Sequence, residues 1–543
     1  MKTALLAAVA STALLAACTP EGSQDDLGRI HLDQTTADAA IDVLGLSDSG
    51  SRNITFDSAI FDDGVYTFTN VVITRESDDD EIAVPSGKVS SPKEDGLEEI
   101  HASRMIIDSP RLNENGDVLL YAFAMEEMTF IGSDETTHVT LDRFSVDQPN
   151  DIMSSELASV MFTSDNSDLE PSWEQYAFGG IAMEGLEIVT SDNDGPNQVS
   201  LDRFAVEHYD SEGLGRFEII GFEAGGASAE GPVNVHMAEF SIDGLDTSMY
   251  HNMFAAMEAG ETENEVAEAY MESVFSNPMN MMTIMEAMTL RDINVTAPGV
   301  IVDMDYLTMF VEEGSDELRS VMEMGLLSLV PDAAHPTGAQ MSMGLGMMGY
   351  DRLDMSMASE SVYNLAEDRA YTIGDNFIEF KDALRIDFGQ DISGYNAYFE
   401  ALRNLELSTD ESEASEEEMD AFFEAIGPLT LNQMSIRLED KSLLERGLAF
   451  AATTQGLPPE QLRAQAGMMV GMGLMAAPPE VPRTLIAEFS TALTSFINEG
   501  GTLIMNMNPP EALSVGEVME QIEAGTFDYN ALGLSFTAEP PVE

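Results

Sequence analysis

A lone thiol is the most distinctive reactive group in this chain: Cys18 is the only cysteine in 543 residues. The imidazoles come next, at His31, His101, His138, His208, His236, His251 and His335, and no two of them pair at metal-ligand spacing. Ser90-Ser91-Pro92-Lys93 has the SxxK outline of a serine nucleophile with a lysine base, but Pro92 breaks the helix on which that pair must sit. Asp192-Asn193-Asp194-Gly195 has the composition of a calcium loop. In EF-hand register, however, the first ligand would be Thr190 and the twelfth Leu201, and neither fits. HExxH, GxSxG and the phosphate-binding Walker loop are absent. Paired carboxylates could do hydrolytic acid–base work, yet among 98 acidic residues no spacing singles out a pair. The sequence therefore assigns no catalytic, cofactor-binding or metal-ligating residue.

Methionine is abundant, at 36 residues, and it gathers in three runs: NPMNMMTIMEAM (277–288), MSMGLGMMG (341–349) and MMVGMGLM (468–475). Thioether sulfur is a soft ligand suited to Cu(I). An unbranched, polarizable side chain also lines apolar grooves of adaptable shape, or simply fills a core. The neighbours are Gly, Leu and Ala, without His or Cys. That context ranks core filling first, a pliable groove second and copper third.

The setting of Cys18 explains its solitude. MKTALLAAVASTALLAAC carries one positive residue, Lys2, then an apolar run, then Ala16 and Ala17 before Cys18. This is the pattern of a secretory signal, and the run is too short for a membrane span of about 20 residues. Leu15-Ala16-Ala17-Cys18 resembles the bacterial lipobox. The resemblance implies cleavage before Cys18, acyl groups on its sulfur, and membrane attachment through more than one chain. It also removes Cys18 as a nucleophile. Thr19 follows, where an Asp would favour inner-membrane retention in the family, so the outer membrane is favoured. TPEGSQDD then reads as a polar tether.

Net charge is −75, from 98 acidic and 23 basic residues, only five of them lysines (Lys2, Lys88, Lys93, Lys381 and Lys441). Such a surface repels nucleic acid and anionic headgroups. The acid is spread along the whole chain, which fits a salt-adapted soluble surface better than a cation or basic-partner site. Its one dense run, STDESEASEEEMD (408–420), reads as a solvated linker. Hydrophobic content of 44% supports sizeable cores, and the length implies two or three domains.

The elements that must position any site are repeated. VTLDRFSVD (139–147) returns as VSLDRFAVE (199–207), each preceded by a Tyr-Ala-Phe, at 121–123 and 176–178. Looser copies are IHASRMIID (100–108), VHMAEFSID (235–243), MTLRDINVT (288–296) and LTLNQMSIR (429–437). His101 and His236 take the same second, solvent-facing position in their copies. Apolar residues occupy the first and third positions, then the sixth and eighth, so they change sides at positions four and five. A bulge or twist there is the implied device, and residues 50–245 read as strands with turn signals between them. Repeated strands in an envelope protein loosely resemble the AsmA-like bridge proteins. That resemblance implies an extended curved sheet whose concave face holds lipid.

Further on, TSMYHNMFAAMEAG, ENEVAEAYMESVF and DELRSVMEMGLLSLV (316–330) show apolar residues at three- and four-residue spacing and read as amphipathic helices. Residues 350–395 read as a meander. The tail reads as strand, three helices, strand, a capped helix opening at Ser514, and a final strand, with helices packed on one sheet face. It resembles the ends of envelope proteins of related bacteria.

The expected fold is α+β, with extended antiparallel sheets of repeated hairpins, amphipathic helical insertions and a C-terminal helix-on-sheet module. The segments are 1–17 signal peptide, 18–33 tether, 34–245 repeated β domain, 246–427 mixed region and 428–543 C-terminal module. The expected function is a lipid-anchored envelope protein of binding or structural type, holding an apolar ligand or lipid in a sheet groove. An acidic scaffold for protein partners ranks second, and a carboxylate-based envelope hydrolase third. No cofactor and no nucleic-acid partner is expected.

Overall fold

The computed structural model describes residues 32–50, 53–74, 97–132, 136–162, 175–192, 195–210, 213–228, 231–247, 253, 256, 266, 283–403, 423–475 and 481–541. Two compact units emerge, one of residues 1–273 with 283–291, the other of 274–282 with 292–543.

The first unit holds β1 (Ile54–Thr55), β2 (Ser58–Asp62), β3 (Val65–Thr74), β4 (Leu97–Asp108), β5 (Arg111–Leu112), β6 (Val118–Leu119), β7 (Ala122–Gly132), β8 (Thr137–Asp147), β9 (Phe178–Asp192), β10 (Gly195–Tyr209), β11 (Leu214–Ser228) and β12 (Gly231–Leu245). β1 and β2 both pair with β3. From there every main strand pairs antiparallel with the next, in the order β3, β4, β7, β8, β9, β10, β11, β12. β5 and β6 form a separate small hairpin. One sheet face is covered by the helices Gln34–Val43 and Asp151–Phe162. Ala37, Ala40 and Ile41 from the first, and Leu157, Ala158 and Phe162 from the second, join Phe68, Met105, Phe123 and Met125 in one core. Asp33 caps the first helix by accepting from the Thr36 amide at 3.0 Å, and the Tyr66 hydroxyl donates to Asp38 on the same helix.

The change of sides expected in the repeat is present, and it runs across the whole sheet. Side chains on one strand face should recur every two residues. Core residues here recur every two except at one step of three: Phe68 to Val71, Ala102 to Met105, Met125 to Met128, Leu141 to Phe144, Met183 to Leu186 and Leu201 to Phe204. Asn70, Ser103, Glu127, Asp142, Gly185, Asp202, Gly221 and Ala238 occupy that step on successive strands, in the gap where ladder pairing lapses and then resumes in the same register. Alternate members are left-handed: Asn70 (φ 51°), Glu127 (φ 50°), Gly185 (φ 64°) and Gly221 (φ 64°). Both strands of each pair take the extra residue, so the register survives while the pleat is reset. This differs from a bulge, in which only one strand takes it. Ser103, Asp142, Asp202 and Ala238 are all the fourth residue of a repeat copy.

β13 (Ala287–Ala297) crosses the boundary between the units. The second unit holds β14 (Val300–Glu313), β15 (Glu317–Pro331), β16 (Leu353–Asn364), β17 (Arg369–Thr372), β18 (Phe377–Phe380), β19 (Leu384–Ser393), β20 (Thr430–Asp440), β21 (Gly501–Met507), β22 (Leu513–Ser514) and β23 (Leu534–Glu539). It too is a sequential antiparallel meander. β17 and β18 lie end to end between β16 and β19, followed by β20, β21 and β23. Helices enter at the connections: Pro336–Met347, Tyr395–Arg403, Leu443–Gln455, Pro459–Met475, Arg483–Glu499 and Val515–Glu523. The tail follows its expected order. Gly456 (φ 66°) and Gly500 (φ 70°) stop two of its helices, and Ser514 caps the last by accepting from the Glu517 amide.

One expectation is overturned. Residues 316–330 do not form a helix; Glu317–Pro331 is β15, paired with β14 and β16. The two helices expected within 246–275 lie outside the described residues, apart from helical Met253, Ala256 and Val266. Among the described residues, no helix is long and apolar enough to cross a membrane.

Candidate functional site

Residues directly opposite each other in an antiparallel pair project from the same sheet face. In the second unit this places a methionine-rich surface on one face. Met304 lies opposite Leu327, Leu307 opposite Met324, and Met309 opposite Met322. Met324 then faces Met357, and Leu327 faces Met355 across a bulge in β15. The row continues through Phe380 and Ile378 to Ile386, Leu438 and Leu503. Met324 is buried and Phe380 is exposed; the others are half-buried. Three helices contact this face. Leu345 of Pro336–Met347 packs with Leu384, Tyr395 meets Tyr363 at 5.8 Å, and Phe489 meets Phe536 at 4.9 Å. The row itself contains no titratable group, so it recognises ligands by dispersion and apolar burial alone.

The opposite faces of both sheets are ionic. In the first unit Arg104 and Arg143 share Glu126, each at 2.8 Å. Arg203 and Arg216 share Glu218, at 2.5 and 3.0 Å, and Arg216 and Arg291 share Glu239. Burial works to raise the Glu218 carboxyl, but the hydrogen bonds from Arg203 and Arg216 outweigh it and leave it below its ordinary value. In the second unit Arg319, Arg369, Arg385 and Arg437 play the same part.

Two depressions open on these ionic faces. One, of about 510 Å³, is lined by Glu317, Asn364, Glu367, Arg369, Asp391 and Ser435 among others, with Gly389 leaving room beside Ser435. Two Arg369 bonds, at 2.7 and 2.5 Å, hold the Asp391 carboxyl below its usual range against the effect of burial. Asp391 is thus a charge partner, not an acid poised to donate. The other, of about 290 Å³, lies where Gly180 sits between Asp147 on β8 and Glu207 on β10. Burial, and less strongly Asp108, raise the Asp147 carboxyl against the pull of Arg143. Glu207 pairs with Arg203 at 3.0 Å.

The residues singled out in the sequence distribute as follows. Cys18, Ser90 to Lys93 and the acidic run 408–420 lie outside the described residues. Of the calcium-loop segment, Asp192 and Gly195 pair with each other at the ends of β9 and β10, and Asn193 and Asp194 lie outside the described residues. His101 and His236 are half-exposed beside Glu99 (2.7 Å) and Glu223 (3.4 Å), and no element brings them together. The first half of the methionine run 277–288, residues 277–282, lies outside the described residues. In the run 341–349, Met348 packs against the small core of Leu345, Tyr350 and Ala383, but most methionines of the other two runs face outward. Met341, Met343 and Met347 are 36–62% exposed, and Met468, Met469 and Met472 are 63–70% exposed. The methionines lining the sheet face, Met304, Met309, Met322, Met324, Met355 and Met357, come from outside the three runs. Their signal was alternation along strands, which clustering does not show.

One motif escapes the sequence reading. Gly344-Leu345-Gly346-Met347-Met348-Gly349 has the GxGxxG outline, but it ends a helix instead of opening one, so no helix N-terminus is presented to a phosphate. Among the described residues, no group of three or more His, Cys, Asp and Glu is arranged to hold a metal ion.

A protein family described as "Uncharacterized protein" matches residues 377–539, the part of the second unit from β18 to the end of β23. No curated protein matches the chain.

Proposed function

We propose that this chain is a lipid-anchored bacterial envelope protein, held through acyl groups on Cys18 to the periplasmic side of the outer membrane, that carries an apolar ligand. The ligand is an acyl chain or similar lipid. It lies against the methionine face of β14–β16, as a shallow apolar trough would hold it. The observation that carries this reading is the in-register row Met304, Met309, Met322, Met324, Met355 and Met357, half-buried for the most part and flanked by helices. A sheet face with this composition gains from a cover, because each buried CH₂ contributes about 0.8 kcal/mol. The AsmA-like resemblance points the same way.

The test is native mass spectrometry of protein extracted gently from its membranes. Stoichiometric lipid beyond the Cys18 acyl groups is expected, and it should fall several-fold in a Met309→Asp/Met322→Asp variant that keeps its strand content. A ligand-free mass from both proteins refutes the carrier. The acidic scaffold is the second reading. It draws support from the engagement of Arg104, Arg143, Arg203, Arg216 and Arg319 within the sheets, which leaves the surplus acid for partners. Such partners would dissociate steeply as ionic strength rises.

A further inference from the structure

We propose that two helical methionine pairs, Met343 with Met347 and Met468 with Met472, are binding sites for a soft monovalent cation of the Cu(I) and Ag(I) class. Each pair is spaced i, i+4, so its β-carbons stand about 5–6 Å apart on one helix face, and each flexible arm can bring its sulfur to a shared ion. All four side chains are more than half exposed, at 62%, 52%, 63% and 68%. Side chains this exposed bury little apolar surface, so core filling does not account for these four methionines.

The surroundings favour access. Along the sequence no charged residue lies between Pro336 and Tyr350, or between Ala464 and Pro479, although the chain has 98 acids; in space Arg446 reaches the end of the first segment, where it donates to the Gly349 carbonyl and lies over the Tyr350 ring. A β-carbon added at Gly344, Gly346 or Gly467 would meet nothing within 4 Å. Each helical glycine costs about 1 kcal/mol relative to alanine, so these helices give up stability where the added side chain would meet only open space. Thioethers discriminate by softness and ignore Mg²⁺ and Ca²⁺, which the surrounding acid would otherwise gather. The net charge of −75 enriches any cation near the surface. Thioethers also carry no proton in this range, so binding releases none and does not weaken on acidification. Sites built from histidine or carboxylate do weaken.

The experiment titrates Ag(I), which needs no reductant, into the full-length Cys18→Ser protein and counts bound metal by native mass spectrometry. Two ions per chain are expected, with affinity unchanged within twofold between pH 5.5 and 7.5. Met343→Leu/Met347→Leu and Met468→Leu/Met472→Leu should each remove one ion, and the fourfold variant both, with circular dichroism unchanged. Leucine keeps the volume and the helix propensity. Binding that survives the fourfold variant, or that falls more than fivefold at pH 5.5, would overturn the assignment, as would failure of the parent to bind.

Discussion

Replacing Gly185 by alanine should destabilise the β8–β10 region by about 2–5 kcal/mol. Two contributions make up the figure. An L-residue at φ 64° costs about 1–2 kcal/mol for its left-handed backbone. The new β-carbon would also stand 2.2 Å from Oδ2, 2.4 Å from Cγ and 2.8 Å from Cβ of Asp142. The clash reaches the root of that side chain, so rotating its tip does not relieve it, and overpacking of this kind costs about 1–3 kcal/mol. Gly180→Ala is the control on the same strand, since its nearest neighbour is the Val206 carbonyl at an ordinary 3.8 Å, and it should cost less than about 0.5 kcal/mol. The double variant Gly185→Ala/Asp142→Ala divides the two contributions, because truncating Asp142 relieves the clash and leaves the backbone cost. Hydrogen–deuterium exchange of peptides covering 178–209 reads the local opening free energy. Equal costs at Gly185 and Gly180 would refute the idea that left-handed residues impose the three-residue step. Gly221, whose β-carbon would stand 2.1 Å from Oδ2 of Asp202, should behave as Gly185 does.

Arg203→Met should flatten the acid side of the stability profile. Glu218 is held below its unfolded value, so its contribution is present above the unfolded carboxylate range and is lost as pH falls through the folded value. Thermal midpoints from pH 7 down to pH 3 check this, and a variant with the parent's slope contradicts it. Tyr66 predicts the alkaline side. Burial first, and the bond to Asp38 second, raise its hydroxyl to about 12, so stability should fall between roughly pH 10 and pH 12. Tyr66→Phe should remove that alkaline fall and cost about 1 kcal/mol at neutral pH, as read from urea midpoints. Leu318→Ala, at a site with 0% exposure, should cost about 2–5 kcal/mol, measured by exchange in β14–β16 peptides.

Much of this architecture was legible because its device is written into the repeat. The first, third, sixth and eighth positions of VTLDRFSVD are apolar, and Val139, Leu141, Phe144 and Val146 do face one core. A three-residue step also explains the failure at 316–330, although there the register is kept with β14 and shifts against β16. In β15 the apolar face runs Met322, Met324, then Leu327 and Leu329. A step of three within a strand of Leu and Met imitates helical spacing, and the low β-branched content removes the usual arbiter. The tail was read well because its helix ends rest on local chemistry, at Gly456, Gly500 and Ser514. The candidate face was not legible. It is assembled from alternate residues of separate strands, and only their register shows that Met309, Met322 and Met357 share a surface. The conspicuous methionine runs point elsewhere, to helix exteriors.

The placement of the basic residues bears on where a ligand would bind. With 23 of them against 98 acids, an open strand face would bring carboxylates together across neighbouring strands, which is destabilising. Arginines are set between the acids instead. Arg203 reaches Glu184, Glu207 and Glu218, and Arg385 reaches Asp375, Glu379 and Asp387. These arginines already have partners, so a charged ligand on the ionic face must first displace an ion pair, and must do so in competition with solvent. The methionine face holds no internal partner of that kind. An apolar ligand there would break no ion pair, and that asymmetry is the physical reason for assigning the proposed ligand to the methionine face and leaving the ionic faces to stability and solubility.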